Sequence, residues 1–335
     1  MKVLVTGAAG YIGSHTIIEL IKNKHHIEGI DNFSNSKIES LLRVEKITNT
    51  SITNHRIDIR NKQDLSVLFN KFKPDAVVHF AGLKSVAESV ENPKLYYENN
   101  IIGTENLLSV MEDNDCRKLV FSSSATVYGN PQYLPINELH SLKPVNPYGE
   151  SKLKCEQLIK KWSSLSKENA GISLRYFNPV GAHSSGMIGE DPNGTPNNIM
   201  PIISKSVFSN KIIKVYGDDY DTEDGTGERD YIHITDLAHS HLLALEYISD
   251  KDGYLNLNVG TGKSTSVINL IKSFEKYTNS KIKYKISARR DGDVAKSWAC
   301  VKKSKKILGF ETIYDIEDAI KSVWNWQTKN PNGYD

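Results

Sequence analysis

The apolar residues in the first half of the chain fall into short unbroken runs, separated by longer stretches where they recur at helical spacing. Val3-Leu4-Val5 reads as a buried strand that ends at Gly7. Over 11–23, Ile12, Ile17, Ile18 and Ile21 lie on or near one face, which predicts a helix. A second strand over 27–30 ends at Asp31, and a weaker third spans 52–57. A helix over 64–72 stops before Pro74 and precedes a fourth strand over 76–80. A helix over 96–111 and a fifth strand over 118–121 follow. Pro147 suits the first turn of a long helix over 147–162, and 172–177 is a sixth strand.

This alternation predicts an α/β fold: a doubly wound parallel sheet of Rossmann type with helices on both faces and right-handed crossovers. Ligands then sit beyond the carboxyl ends of the strands. The residues at those ends are Gly7, Asp31, Phe80-Ala81-Gly82, Ser122 to Ser124 and Phe177-Asn178. After about residue 180 the pattern changes. Residues 181–198 are rich in Gly, Pro, Ser and Asn, a long loop of the kind that carries function. A second polar loop covers 218–230, followed by short elements over 231–234, 267–277 and 316–326. These predict a smaller mixed α/β C-terminal domain capping the sheet edge, with 231–259 able to return to the first domain.

Composition adds mainly exclusions. The 335 residues are 39% hydrophobic and 24% charged, with 42 basic and 40 acidic side chains, so no charge excess argues for nucleic-acid or membrane binding. The basic cluster Lys302-Lys303-Ser304-Lys305-Lys306 reads as a solvated helix face. Cys116, Cys155 and Cys300 are odd in number and lack metal-ligand spacing. The first apolar run is too short for a signal sequence, and no stretch reaches the length of a membrane span, which fits a cytoplasmic enzyme.

The chemistry starts at Gly7-Ala8-Ala9-Gly10-Tyr11-Ile12-Gly13, a glycine turn between a strand and a helix. Gly7 permits the tight turn, Gly10 lets backbone approach a pyrophosphate, and Gly13 lets the helix pack closely. The helix N-terminus offers unpaired N–H groups to phosphates. The spacing is G-x-x-G-x-x-G rather than G-x-G-x-x-G, so it matches the dinucleotide fingerprint in mechanism only. Asp31, ending the second strand, is placed to accept hydrogen bonds from a ribose and to repel a 2′-phosphate, which favours NAD over NADP. Asp58 lies where it can approach the adenine.

Tyr148 and Lys152 are four apart and share a helix face. A phenol has an unperturbed pKa of about 10, and lowering it to about 7 takes roughly 4 kcal/mol of differential stabilisation. A lysine ammonium and an oxidised nicotinamide together supply such stabilisation. Tyr148 then removes a proton from a substrate hydroxyl, and Ser124 hydrogen-bonds the same oxygen.

The segments VTGAAGYIGSHT, DNFSNS, HFAGLKSVAESV, FSSSATVYG, NPYGESK, LRYFNPVGAH, GEDPNGTPNN, DYDTEDGTGERDYIH and RRDGDV run through nearly the whole chain. In them the chain resembles the UDP-glucose (UDP-galactose) 4-epimerases of the extended short-chain dehydrogenase/reductase superfamily. The resemblance implies a soluble, homodimeric enzyme with an NAD-binding domain over 1–180 and a UDP-sugar-binding domain over 181–335. It implies that Tyr11, Ile12, Asp31, Asn32, Phe33, Ser34, Asn35, Ser36, Asp58, Ile59, Phe80, Ala81, Gly82, Lys84, Asn99, Tyr148, Lys152 and Phe177 hold NAD, and that Ser124 and Tyr148 serve catalysis. It implies that Asn178, Asn198, Lys214, Val215, Tyr216, Arg229, Arg290 and Asp293 hold the UDP-sugar. Arginines at 229 and 290 suit a pyrophosphate, being planar and always charged.

One departure concerns the residue before Trp298. Some members carry a tyrosine there, near the sugar's 2-position; this chain has Ser297, which leaves room for an N-acetyl group. That implies turnover of UDP-GlcNAc and UDP-GalNAc as well. Two other readings use the same scaffold. A nucleotide-sugar 4,6-dehydratase needs an added acid/base pair in the pattern Thr-Asp-Glu, and Ser124-Ala125-Thr126 lacks the carboxylates. A catalytically silent NAD-binding sensor has no need of Tyr148 and Lys152 together.

Overall fold

The computed structural model describes residues 1–335 apart from 193, 195, 197 and 291. The chain opens with β1 (Lys2–Thr6), α1 (Tyr11–Lys22), β2 (His26–Asp31), α2 (Glu39–Thr48), β3 (Thr53–Arg56), α3 (Lys62–Phe72) and β4 (Ala76–His79). Two short helices follow, α4 (Val86–Glu91) and α5 (Pro93–Tyr96), then a π-helical turn (Tyr97–Ile102) and α6 (Gly103–Asp113). Next come β5 (Lys118–Ser124), a 3₁₀ turn (Ala125–Tyr128), α7 (Pro147–Ser163), β6 (Ala170–Tyr176) and β7 (Asn178–Val180). The later part contains α8 (Ile199–Ser209), β8 (Ile213–Tyr216), β9 (Glu228–Arg229), β10 (Tyr231–His233), α9 (Ile234–Ile248) and β11 (Gly253–Val259). It ends with β12 (Thr265–Ser266), α10 (Val267–Thr278), β13 (Tyr284–Ser287), β14 (Lys296–Ser297), α11 (Lys302–Leu308) and α12 (Ile316–Lys329). Among the described residues no helix is long and apolar enough to cross a membrane.

Seven strands form one parallel sheet in the order β3-β2-β1-β4-β5-β6-β11. Chain direction across the sheet reverses between β1 and β4, which opens a crevice at their carboxyl ends. The central strands are apolar on both faces because both are covered. Val3, Val5, Val78, Val120, Ile172 and Leu257 face α1, α2 and α9, while Leu4, Val77, Leu119 and Phe121 face α3, α6 and α7. A separate cluster including Val215, Ile203, Phe274 and Ile320 joins α8, α10 and α12 to the β8–β13 pair. Small pairings complete that part: β7 with β10, and β9 between β12 and β14.

The first six strands appear in the expected order, with shifts at the ends, while helix α2 between β2 and β3 is absent from the sequence reading. The helix read over 96–111 is interrupted by the π turn, whose extra backbone residue no regular period reveals. Helix α9 is absent from the sequence reading because it is apolar around most of its circumference, being pressed between the sheet and its helical neighbours. The strand over 231–234 ends at His233, where the imidazole caps α9 by accepting from Thr235 N. Strand β11 adds to the main sheet beside β6.

A buried polar network lies under α7. Glu156 receives two hydrogen bonds from Arg175 at 2.9 and 2.6 Å and one from Ser123 Oγ at 2.5 Å. Arg175 continues to Tyr128 Oη at 3.0 Å, and Tyr128 donates to Asn258 at 2.6 Å. Removing one partner of such a pair leaves a charge uncompensated out of water. Glu156→Ala is therefore expected to lower unfolding stability by about 3–5 kcal/mol, read as a fall in the urea midpoint.

Candidate active site

The crevice between β1 and β4 is shaped by glycines that no other residue replaces. Gly7 has φ +67°, and a Cβ there would stand 2.7 Å from Ala81 N, so the turns after β1 and β4 touch directly. A Cβ at Gly13 would lie 2.3 Å from Gly7 O, so α1 starts flush against the turn. Gly10 caps α1 with no side-chain acceptor, and the first turn carries no acid. The N–H groups from Tyr11 onward thus remain open to an anion, which is the fit a dinucleotide pyrophosphate requires.

Asp31 is nearly buried and organises the loop beside this turn. Its carboxylate accepts from Ala9 N at 3.0 Å, Phe33 N at 2.8 Å and Ser36 Oγ at 2.8 Å. Asn32 donates to Asp58 at 2.9 Å, and the Arg60 guanidinium on Asp58 holds that carboxyl far below its usual range. Ser34 and Asn35 are exposed at the loop tip. Ile59 packs against Gly103 and Phe80 against His241. Phe177 belongs to a small buried cluster with Tyr128 and Ile136. Ala81 N donates to Thr6 Oγ1, and Lys84 pairs with Glu190 at 3.1 Å. Asn99 bonds the Leu95 carbonyl of its own helical segment. Its neighbour Asn100 is the buried one: it accepts from Leu83 N, donates to Leu83 O and reaches Ser151 Oγ on α7.

Helix α7 carries Tyr148 and Lys152. Asn146 caps it by accepting from Gly149 N at 2.8 Å, and Pro147 fills its first position. A Cβ on Gly149 would be 2.8 Å from Thr126 O, so the first turn of α7 rests on the turn that follows β5. This brings Tyr148 to Ser124. Ser124 Oγ accepts from Thr126 N at 3.2 Å and from Thr126 Oγ1 at 2.9 Å. With its acceptor sites filled, Ser124 is left to donate. Lys152 is 5% exposed; its ammonium donates to Ser122 O at 2.7 Å and lies 4.9 Å from the Phe121 ring centroid. Burial pushes its pKa down to about 8. A Cβ on Gly82 would come 3.9 Å from Lys152 Nζ, so α7 meets the β4 loop here.

Burial raises the Tyr148 phenol above its ordinary value, and the opposing group is the Ser124 hydroxyl. The lysine's nearest commitment is the Ser122 carbonyl. Protein groups alone therefore keep Tyr148 protonated at neutral pH.

On the other side of the crevice, Arg229 in β9 faces Asp293 at 3.4 Å, and Ser297 in β14 pairs with Arg229 in register. Arg290 stacks on Tyr216 at 3.9 Å, and Lys214 on the same strand is exposed. Val215 points into the C-terminal core, so only its backbone is available to a ligand. Asn178 is tied through its N–H to Asp230 O at 2.9 Å. Asn198 donates to Glu190 at 2.6 Å.

The NAD dependent epimerase/dehydratase profile matches residues 3–260. The chain belongs to that family. A UDP-glucose 4-epimerase of Pisum sativum is 46% identical, over 99% of this chain and 97% of the pea protein. The solved UDP-glucose 4-epimerase of Bifidobacterium longum, in complex with NAD+ and UDP, is 46% identical with TM-score 0.96, covering 99% of this chain and 100% of that one. The Stenotrophomonas maltophila UDP-glucose-4-epimerase, with bound NAD and formylated UDP-arabinopyranose, is 43% identical with TM-score 0.96 and covers 99% of both chains.

For this family member, sequence reasoning passed over four residues that the structure places at or directly beneath the candidate site: Thr126, Asn100, Glu190 and, in the network under α7, Glu156. Thr126 stood two residues from Ser124 and carried a signal. Asn100 stood inside the π turn, where helical spacing misassigns faces. Glu156 lay on the Tyr148–Lys152 face at the next turn, readable as i+4 from Lys152. Glu190 stood in the segment GEDPNGTPNN, but no spacing there singled out its carboxylate.

The depressed lysine has a measurable consequence. Between about pH 8 and 10.5 the unfolded chain holds the Lys152 proton and the folded chain does not, so this group makes stability rise with pH across that window. Lys152→Met is expected to stabilise the ligand-free chain at pH 7, with the advantage shrinking toward pH 10.5. Urea midpoints of both proteins at pH 7 and pH 10 check this.

Proposed function

We propose that this chain interconverts UDP-glucose and UDP-galactose reversibly by oxidation at C4, rotation of the 4-keto sugar and re-reduction. The observation that carries this reading is the meeting of Lys152 and Ser124–Tyr148 with the glycine turn at one crevice, through the contact at Gly82. Residues 1–180 together with 231–259 form the NAD-binding part, and the remaining residues after 180 form the UDP-sugar part. Bound NAD supplies a hydride acceptor at C4, a donor on return, and a positive ring charge that favours the phenolate. Tyr148 takes the proton from the 4-hydroxyl and later returns it. Ser124, loaded by Thr126, donates to the same oxygen as it becomes a carbonyl. Lys152 adds a buried positive charge beneath the pair.

Epimerisation needs the nucleotide fixed and the sugar free to turn. Arg229, Arg290 and Asp293 hold the UDP, with backbone from Lys214 to Tyr216 beneath it, while Asn178 and Asn198 approach from the facing segments. Small Ser297 leaves space at the sugar's 2-position, so UDP-GlcNAc and UDP-GalNAc are substrates as well. A second copy of the chain completes a homodimer over the open groove between α6 and α7, where Leu108, Leu158, Trp162 and Leu165 line the surface. The enzyme acts in the cytoplasm. The dehydratase reading is disfavoured because Ala125 and Thr126 stand where carboxylates are needed.

Incubation with UDP-glucose and chromatography of the released sugars tests the reading directly: galactose must appear, without net NADH. Tyr148→Phe is expected to lower kcat about a thousandfold, within the range for loss of a general acid–base, while the bound NAD content stays unchanged. Ser297→Tyr is expected to abolish turnover of the N-acetyl sugars and to leave UDP-glucose turnover within about twofold, a steric effect at one pocket wall; paired assays on the two substrates check it.

A further inference from the structure

We propose that Glu190 and Asp191 form an ionic strap across the cofactor crevice that slows the release of bound dinucleotide. The inference rests on the proposed NAD site and adds a retention device to it. The two carboxylates are consecutive, each has a side chain under 10% exposed, and they reach opposite sides of β1. Glu190 accepts from Lys84, on the loop after β4, at 3.1 Å. Asp191 faces Lys37, on the loop after β2, at 3.5 Å. Those two loops flank the glycine turn at the point where the strand order reverses. The same segment is fastened to the turn itself, because Tyr11 Oη donates to Gly181 O at 2.6 Å. Lys84 Nζ lies 6.0 Å from the Tyr11 ring centroid, which puts the Glu190 pair over the start of α1.

The substrate side is tied to the same two acids. Glu190 accepts from Asn198 at 2.6 Å, and Asp191 faces Lys205 on α8 at 3.8 Å and accepts from Tyr334 N at 3.0 Å. Two carboxylates beside a diphosphate site would repel the ligand if they stood alone. Here three ammonium groups, from Lys37, Lys84 and Lys205, surround them and offset their charge, with Lys37 shared with the Asp335 carboxylate at 2.6 Å. A dinucleotide lying along the glycine turn leaves only after the strap lifts from one of its loops. An enzyme that regenerates its cofactor every turnover gains by holding it.

The ammonium partners are a third to a half exposed, so each pair is weak alone and open to screening by salt, but bridges that must break together add; the Debye length falls from about 10 Å at 0.1 M to about 3 Å at 1 M. The test is the release rate of radiolabelled NAD from the loaded enzyme into excess unlabelled NAD, at 0.05 M and 1 M NaCl. Wild type is expected to release faster at high salt. Glu190→Gln with Asp191→Asn is expected to release about tenfold faster at low salt, equivalent to about 1.4 kcal/mol in barrier, and to lose most of the salt response. The charge-keeping pair Glu190→Asp with Asp191→Glu is expected to restore that response. Equal rates in wild type and the neutral variant, or a wild-type rate indifferent to salt, overturn the strap; the salt response is read on wild type and so does not depend on the variant folding. A wild type that binds no NAD overturns the functional reading and the strap with it, whereas a wild type that holds NAD without the salt response overturns the strap alone.

Discussion

The site depends on one ammonium held out of water. Lys152 is almost fully enclosed between β5 and α7, with the Ser122 carbonyl as its hydrogen-bond partner and the Phe121 ring close by. Burying an unpaired ammonium costs several kcal/mol even after relaxation. One carbonyl and one ring face return only part of that, which is why the group's proton affinity is depressed. A charge kept in that condition acts over a short distance at low effective dielectric, where it has most influence on a neighbouring oxygen.

Holding it there takes a rigid helix, and α7 presents one stacked face for the purpose. Tyr148, Ser151, Lys152, Cys155 and Glu156 follow each other at helical spacing along that face. Ser151 receives Asn100 from the π turn, Cys155 meets Thr104 on α6, and Glu156 anchors Arg175 in β6. The Tyr148 phenol thus stands at the top of a column in which every lower member is fixed to a different element. Glu156 is too far along the helix to touch a ligand, yet it sets the register of α7 against the sheet.

Much of this was legible in the sequence, for physical reasons. Five of the six early strands announced themselves as apolar runs because both faces of the sheet are covered there, whereas the edge strand β3, Thr53-Asn54-His55-Arg56, is polar and half-exposed. The glycine turn was readable because Gly7 and Gly13 sit where a Cβ has no room. Tyr148 and Lys152 were readable because a four-residue spacing fixes a shared face. The sequence reading failed where local pattern and tertiary environment diverge. Helix α9 is surrounded on too many sides to show a polar stripe, and the π turn breaks the period that would have separated Asn99 from Asn100. Family membership rests on the profile over residues 3–260, and the fold and site geometry agree with it.

The placement of β11 limits how the chain can be divided. That strand comes from residues 253–259 yet lies along β6, with its backbone paired from Gly253 to Val259. A fragment ending near residue 180 would leave β6 as a bare edge seven residues long, with the amides and carbonyls of alternate residues unmatched. It would also strip α9 from the apolar face that α1 and the sheet present. Exposed edges of that length invite pairing with other chains. Cutting this protein at its apparent seam should therefore give an aggregating product rather than an independent half.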